Sequence, residues 1–182
     1  NASYDTINSG TIILGDSSSI NSPNVALYTN ATTVGTNPLK NAATGNITVG
    51  KKSVGIYGFE SENMGNITVG DGSIAMYSKG GNINLAGGTI TTGIDEAVGV
   101  YTVGNKQTVT NTGTSFNLGD TSFGYVNVGS ENKIESKISN VNLGNDSVYI
   151  YSNDTKGVIK NKTNIKSTGT KGENYGIYAA GD

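Results

Sequence analysis

The sequence contains no cysteine, no histidine and no tryptophan, and no arginine occurs along it, so its 12 basic residues are all lysine. Without cysteine there is no disulfide framework and no thiolate nucleophile, and without histidine as well a Cys/His zinc site is excluded. Without arginine there is no planar fork to grip a phosphate or carboxylate through two hydrogen bonds. Charged residues make up only 14 % and the net charge is −2, which gives no electrostatic footprint for nucleic acid or an anionic membrane. No apolar run approaches the roughly 20 residues that span a bilayer. Hydrophobic residues reach 34 %, little for a compact globule with one central core. The lack of cysteine suits a chain that crosses an oxidising compartment unfolded.

What is present points to strands. There are 27 glycines but only 2 prolines, set among threonine, serine, asparagine, valine and isoleucine. Low charge and abundant β-branched residues are not a disorder profile. They suit many short strands joined by tight turns. A solenoid needs fewer apolar residues than a globule, because each coil buries only a narrow inner face.

Self-similarity organises the chain. Four blocks align without a gap: Asn46–Tyr57, Asn66–Tyr77, Ser115–Val126 and Asn140–Tyr151. Each reads apolar–polar–apolar–Gly, two turn residues, Ser, then apolar–x–apolar–Tyr, with Val in one copy. Looser copies pair Thr11–Gly15 with Val25–Tyr28, Asn82–Ala86 with Val98–Tyr101, and Asn164–Ile165 with Tyr175–Tyr178. The closing slot falls at 28, 57, 77, 101, 126, 151 and 178, steps that average about 25 residues and sit in the range of solenoid coils.

Within a block the period is 2, the mark of a strand. Alternation places Ile47, Val49, Val54 and Ile56 inward, stacked on Ile67, Val69, Ile74 and Met76 of the next coil. A third segment, such as Lys133–Ile138 or Gly157–Lys160, closes each coil. The recurring glycines at 15, 50, 70, 119 and 144 fit a corner that needs positive φ. The expected fold is all-β: a parallel β-helix of about seven coils, right-handed by the crossover preference. An antiparallel sandwich, the other architecture with frequent turns, gives no reason for one block to recur four times.

On these blocks the sequence resembles the passenger repeats of large type V autotransporter adhesins of the fusobacterial type. The resemblance runs from about Thr11 to Tyr178 and rests on the Gly-x-x-Ser-apolar-x-apolar-Tyr unit. It implies that residues 1–182 are one β-helical piece of a longer passenger, truncated at one or both ends. It also implies a bacterial cell-surface location, anchored by an outer-membrane barrel elsewhere, and attachment to receptors or glycans on host cells or other bacteria. The family carries no fixed catalytic motif, so an enzyme is not expected. A carbohydrate-active β-helix and a passenger that self-associates through its coil ends are the alternatives.

Four groups of residues are candidates for function. Tyr57, Tyr77 and Tyr101, with Tyr28, Tyr151 and Tyr178, form a column that either binds a partner surface or only ties coils together. Asp16, Asp71 and Asp120 follow the corner glycine and read as solvated turn residues. Asp95 and Glu96 form an adjacent acidic pair in the Gly87–Ala97 stretch, which with Asn30–Thr44 reads as a coil-lengthening loop of the kind that binds. Seven of the 12 lysines lie between Lys133 and Lys171, interleaved with acids, and read as a solvated face. No pattern calls for a cofactor or a metal ion.

Overall fold

A computed structural model describes residues 5–181. The chain is a β-solenoid of three parallel sheets with seven strands in each and no helix among the described residues. Sheet A holds Thr6–Asn8, Leu39–Asn41, Ser61–Asn63, Ile83–Leu85, Thr108–Asn111, Lys133–Ser136 and Val158–Asn161. Sheet B holds Thr11–Leu14, Asn46–Val49, Asn66–Val69, Thr89–Thr92, Ser115–Asn117, Asn140–Leu143 and Asn164–Ser167. Sheet C holds Val25–Tyr28, Val54–Gly58, Ile74–Ser78, Val98–Asn105, Phe123–Ser130, Val148–Thr155 and Tyr175–Ala179. Every strand pairs only with its counterparts one coil away, so equivalent residues stack in columns.

The expected register holds across sheets B and C, with Ile47 on Ile67, Val49 on Val69 and Ile56 on Met76. These six are buried in one continuous core. Each contributes about 1.5–3 kcal/mol by leaving water. The third segments also fall where expected, Lys133–Ser136 and Val158–Asn161 pairing in sheet A. The looser copy Asn82–Ala86 is different: Ile83–Leu85 lies in sheet A, between Ser61–Asn63 and Val109–Asn111. The sheet B rung of that coil is Thr89–Thr92, with Ile90 on Ile67.

Polar columns run inside as well. The buried Asn41 amide accepts from Asn8 at 2.9 Å and donates to Asn63 at 2.9 Å. Ser73 Oγ accepts the Ser53 N–H at 2.9 Å, and Ser147 Oγ accepts that of Ser122 at 3.3 Å. Each such bond satisfies a corner group that would otherwise be buried without a partner.

Two expectations are corrected. The recurring glycines at 15, 50, 70, 119 and 144 do not have positive φ; that conformation falls two residues later, at Lys52 (52°), Gly72 (60°), Thr121 (55°) and Asp146 (52°). The glycines at 50, 70 and 119 are needed because the backbone of the neighbouring coil is too close, whereas at 144 the close atom is the Asp120 carboxylate. A Cβ on Gly119 would lie 2.3 Å from the Gly93 carbonyl oxygen, and one on Gly70 would lie 2.8 Å from the Gly50 carbonyl carbon. The second correction concerns Val54 and Ile74. Ile56 and Met76 are in the central core, whereas Val54, itself buried, and the half-buried Ile74 pack on the outer side of the sheet and line a groove beside Tyr57 and Tyr77. The ladder skips the next position, 55, 75, 99, 124 and 149, which breaks strict alternation and turns it inward. Gly, Ala, Gly and Gly fill that slot in four coils, and Tyr149 fills it in the fifth.

Candidate binding face

The outer face of sheet C is apolar along its length, and its columns follow from the skipped position just described. With that residue turned inward, both the residue before it and the residue two after it lie on the outer side of the sheet, where Val54 and Val98 are covered by their neighbours and Tyr57, Tyr77 and Tyr101 are half-buried. The first outer column is Val25, Val54, Ile74, Val98, Phe123, Val148 and Tyr175; the second is Tyr28, Tyr57, Tyr77, Tyr101, Val126, Tyr151 and Tyr178.

The tyrosines stack as parallel plates. Ring centroids lie 5.6 Å apart for Tyr28 and Tyr57, 4.8 Å for Tyr57 and Tyr77, and 5.4 Å for Tyr77 and Tyr101. The interplanar angle between Tyr57 and Tyr77 is 2°. Beyond the break at Val126 the stack resumes with Tyr151 and Tyr178 at 5.6 Å. Tyr57, Tyr77 and Tyr101 are each half-buried, so every ring supports its neighbours and still offers an edge to water. Both uses foreseen for the column are therefore open to the same residues. Lys79 Nζ sits 5.6 Å from the centre of the Tyr57 ring.

Two shallow grooves lie between the outer columns. One, of about 470 Å³, is lined by Val25, Val54, Ile74, Tyr28, Tyr57 and Tyr77 and walled by Ile20, Asn21 and Pro23. The other, of about 270 Å³, lies at the break and is lined by Glu96, Val98, Tyr101, Phe123, Val126 and Tyr151. Of the acidic pair, the structure thus brings Glu96 to Tyr101 and leaves Asp95 apart. Asp95 lies on the side of Lys51, whose pKa is raised mainly by its hydrogen bond to Asp71, with Asp95 adding a small attraction.

The Gly87–Ala97 stretch is not a free loop, because Thr89–Thr92 is a paired rung with Ile90 fully buried. Only the corner after it departs from its neighbours. It carries three residues between Gly93 and Ala97, where the coils on either side carry two. Asp95 (φ 55°) and Glu96 (φ 63°) are consecutive left-handed residues, and neither is glycine. The Asp95 carbonyl accepts the Gly72 N–H at 3.0 Å, and the Glu96 N–H donates to Thr121 O at 2.8 Å, so the coils above and below fix the corner. In the Asn30–Thr44 stretch, likewise, Leu39–Asn41 is a regular rung and only the residues before it form an insertion.

The corner acids do more than meet solvent. Asp16 accepts the Lys51 N–H at 2.8 Å, Asp71 the Ile94 N–H at 3.1 Å, and Asp120 the Asn145 N–H at 2.8 Å. Each carboxylate clips its corner to the next coil. The Lys51 ammonium at 2.8 Å and the Ile94 amide hold the Asp71 carboxyl below its ordinary pKa. Among the late lysines, Lys133, Lys137 and Lys160 surround Glu135 on sheet A at 2.7, 3.0 and 3.9 Å. Hydrogen bonds from Lys133 and Lys137 depress its pKa to about 2.

Two tyrosines escaped the sequence reading. Tyr125 and Tyr149 are buried inside the solenoid, packed edge to face at 5.3 Å and both against Phe116. Their hydroxyls bond Asn111 at 2.9 Å and Ser136 at 2.7 Å. The signal for Tyr149 was the small residue in its slot elsewhere: a Cβ on Gly124 would meet its ring at 2.7 Å. Among the described residues no three acidic side chains gather as a cage for a metal ion.

Comparison of the chain with protein-family models, with curated proteins and with solved structures returned no match. The functional reading therefore rests on the geometry of this face and on the repeat itself.

Proposed function

We propose that this chain is a structural and adhesive segment of a bacterial surface passenger, and that the outer face of sheet C is its binding face. The chain is read as non-catalytic, holding no cofactor and acting outside the cell through a receptor or glycan on a host cell or another bacterium. One observation carries this: the apolar outer columns of sheet C run the length of the solenoid, while the other two outer faces are mainly polar, with Ile7, Ile13 and Val158 exposed only on the end coils. Sheet A presents Lys40, Glu62, Lys133 and Glu135 in ion pairs, and sheet B presents Thr48, Thr68 and the Asn46–Asn66 amide pair. A long apolar stripe on an outer face marks an interaction surface more often than it marks a bare stalk. Stacked tyrosines supply large contact area at low conformational-entropy cost.

The test is attachment of beads coated with the purified chain to host and bacterial cells. Changing Tyr57, Tyr77 and Tyr101 together to Ser should release the beads, while Thr48→Ala with Thr68→Ala on sheet B should leave attachment intact. Equal attachment by both variants would move the binding surface off sheet C, and no attachment by the unchanged chain would reduce it to a spacer. A defined oligomer in light scattering, lost in the same tyrosine variant, would instead make this face a contact between copies.

A further inference from the structure

We infer that the break in the tyrosine column at Val126 is a slot for one pyranose ring of the β-gluco type, whose hydroxyls are all equatorial. This rests on the reading of sheet C as the binding face and names what one part of it takes.

The slot follows from register. Tyr101, Val126 and Tyr151 occupy equivalent positions in three successive coils. Elsewhere each ring of the column takes up 4.8–5.6 Å. Two inter-strand spacings of about 4.8 Å separate the Tyr101 and Tyr151 rungs, which leaves room for one ring over the short Val126 side chain. Phe123 closes one side, its ring edge-on to Tyr151 at 6.3 Å. The resulting groove of about 270 Å³ falls below the usual range for drug-sized ligands and fits a single ring.

The rim adds a polar requirement. The one charged residue lining the groove is Glu96, brought there by the corner with an extra residue and two successive left-handed backbone positions. Backbone strain at a groove lip is where a functional constraint is expected. Its carboxylate accepts hydrogen bonds only, so it selects an occupant with hydroxyl or N–H donors at its edge. The walls select differently. A ring held between two tyrosines must present an apolar face to each. A pyranose with every hydroxyl equatorial has axial C–H bonds on both faces and hydroxyls around its rim, directed toward Glu96. An axial hydroxyl would be pressed against an aromatic face without a partner.

The experiment follows amide NMR spectra of the whole chain during titration with methyl β-D-glucopyranoside, with methyl β-D-galactopyranoside beside it. The gluco sugar should shift Glu96, Phe123 and Val126 saturably. The galacto sugar, with one axial hydroxyl, should bind about fivefold more weakly or worse. Val126→Tyr restores the residue that six other coils carry, so the variant should fold, fill the slot and weaken binding by about tenfold or more. Silence with both sugars, equal response to both, or shifts that persist in Val126→Tyr would each overturn the slot. Bead attachment that depends on Tyr57, Tyr77 and Tyr101 while the sugars stay silent would remove the slot and leave the face standing. Sugar binding without tyrosine-dependent attachment would do the reverse.

Discussion

Removing Tyr77 should cost more than removing Tyr28, though both occupy the same column. Tyr77 stacks on two neighbours, Tyr57 at 4.8 Å and Tyr101 at 5.4 Å, whereas Tyr28 at the column's end stacks only on Tyr57, at 5.6 Å and tilted by 22°. Tyr28 is also 59 % exposed, whereas Tyr77 is half-buried. An aromatic pair contributes about 0.5–1.5 kcal/mol beyond its burial, so Tyr77→Ala forfeits roughly 1–3 kcal/mol of stacking. Re-exposing the apolar part of the ring's contact area, on the order of 50–80 Å², adds about 1–2 kcal/mol at 25 cal/mol per Å². The total is about 2–5 kcal/mol for Tyr77, against about 1–2 kcal/mol for Tyr28→Ala with one stack and little burial. Tyr77→Phe keeps the ring and should stay within about 0.5 kcal/mol of the parent. Urea unfolding monitored by circular dichroism measures all three. Native-state hydrogen exchange at Ile74–Ser78 detects local opening where the coils do not unfold together. If Tyr77→Ala proves no costlier than Tyr28→Ala, the column does not bind coil to coil.

Four further outcomes follow. Ser61 lies between Leu39 and Ile83 in an inner apolar column, and its buried hydroxyl has no hydrogen-bond partner; Ser61→Val should raise stability by about 1–2 kcal/mol in the same urea assay. A Cβ on Gly129, whose φ is 149°, would lie 1.8 Å from the Gly104 carbonyl oxygen; Gly129→Ala should cost about 3–5 kcal/mol, while Gly10→Ala, with open space, should cost under about 1 kcal/mol. The Glu135 carboxyl titrates at about 2 instead of 4.5 because Lys133 and Lys137 hold its charge. A depressed acid pKa stabilises the fold fully above the unfolded value, so this contribution should fade as pH falls from about 5 toward about 2, as carboxyl NMR titration would show. Burial raises the Tyr125 hydroxyl well above its ordinary 10.0. A raised acid pKa stabilises the fold below the unfolded value and loses that contribution as pH rises past about 10, so alkaline unfolding should come later in Tyr125→Phe.

The rungs and the aromatic slot were legible because the solenoid repeats its own sequence: the Asn46 and Asn66 blocks stack residue on residue. Three features were hidden. Period-2 reasoning placed Val54 inward, and only the skipped inward slot shows why Tyr57 and Val54 share the outside; small residues at 55, 75, 99 and 124 were its trace. The corner glycines could have served positive φ or a close approach, and a sequence does not report how near the next coil lies. Glu96 and Asp95 were found as a pair, but their separation depends on one extra corner residue and two left-handed backbone angles.

The most direct test of sheet C as the binding face is fluorine NMR on chain labelled with fluorotyrosine, recorded while target cell-surface glycoconjugates are added. Signals from Tyr57, Tyr77 and Tyr101 should shift or broaden, and those of the buried Tyr125 and Tyr149 should not. Binding that leaves the three column signals unmoved would contradict the account.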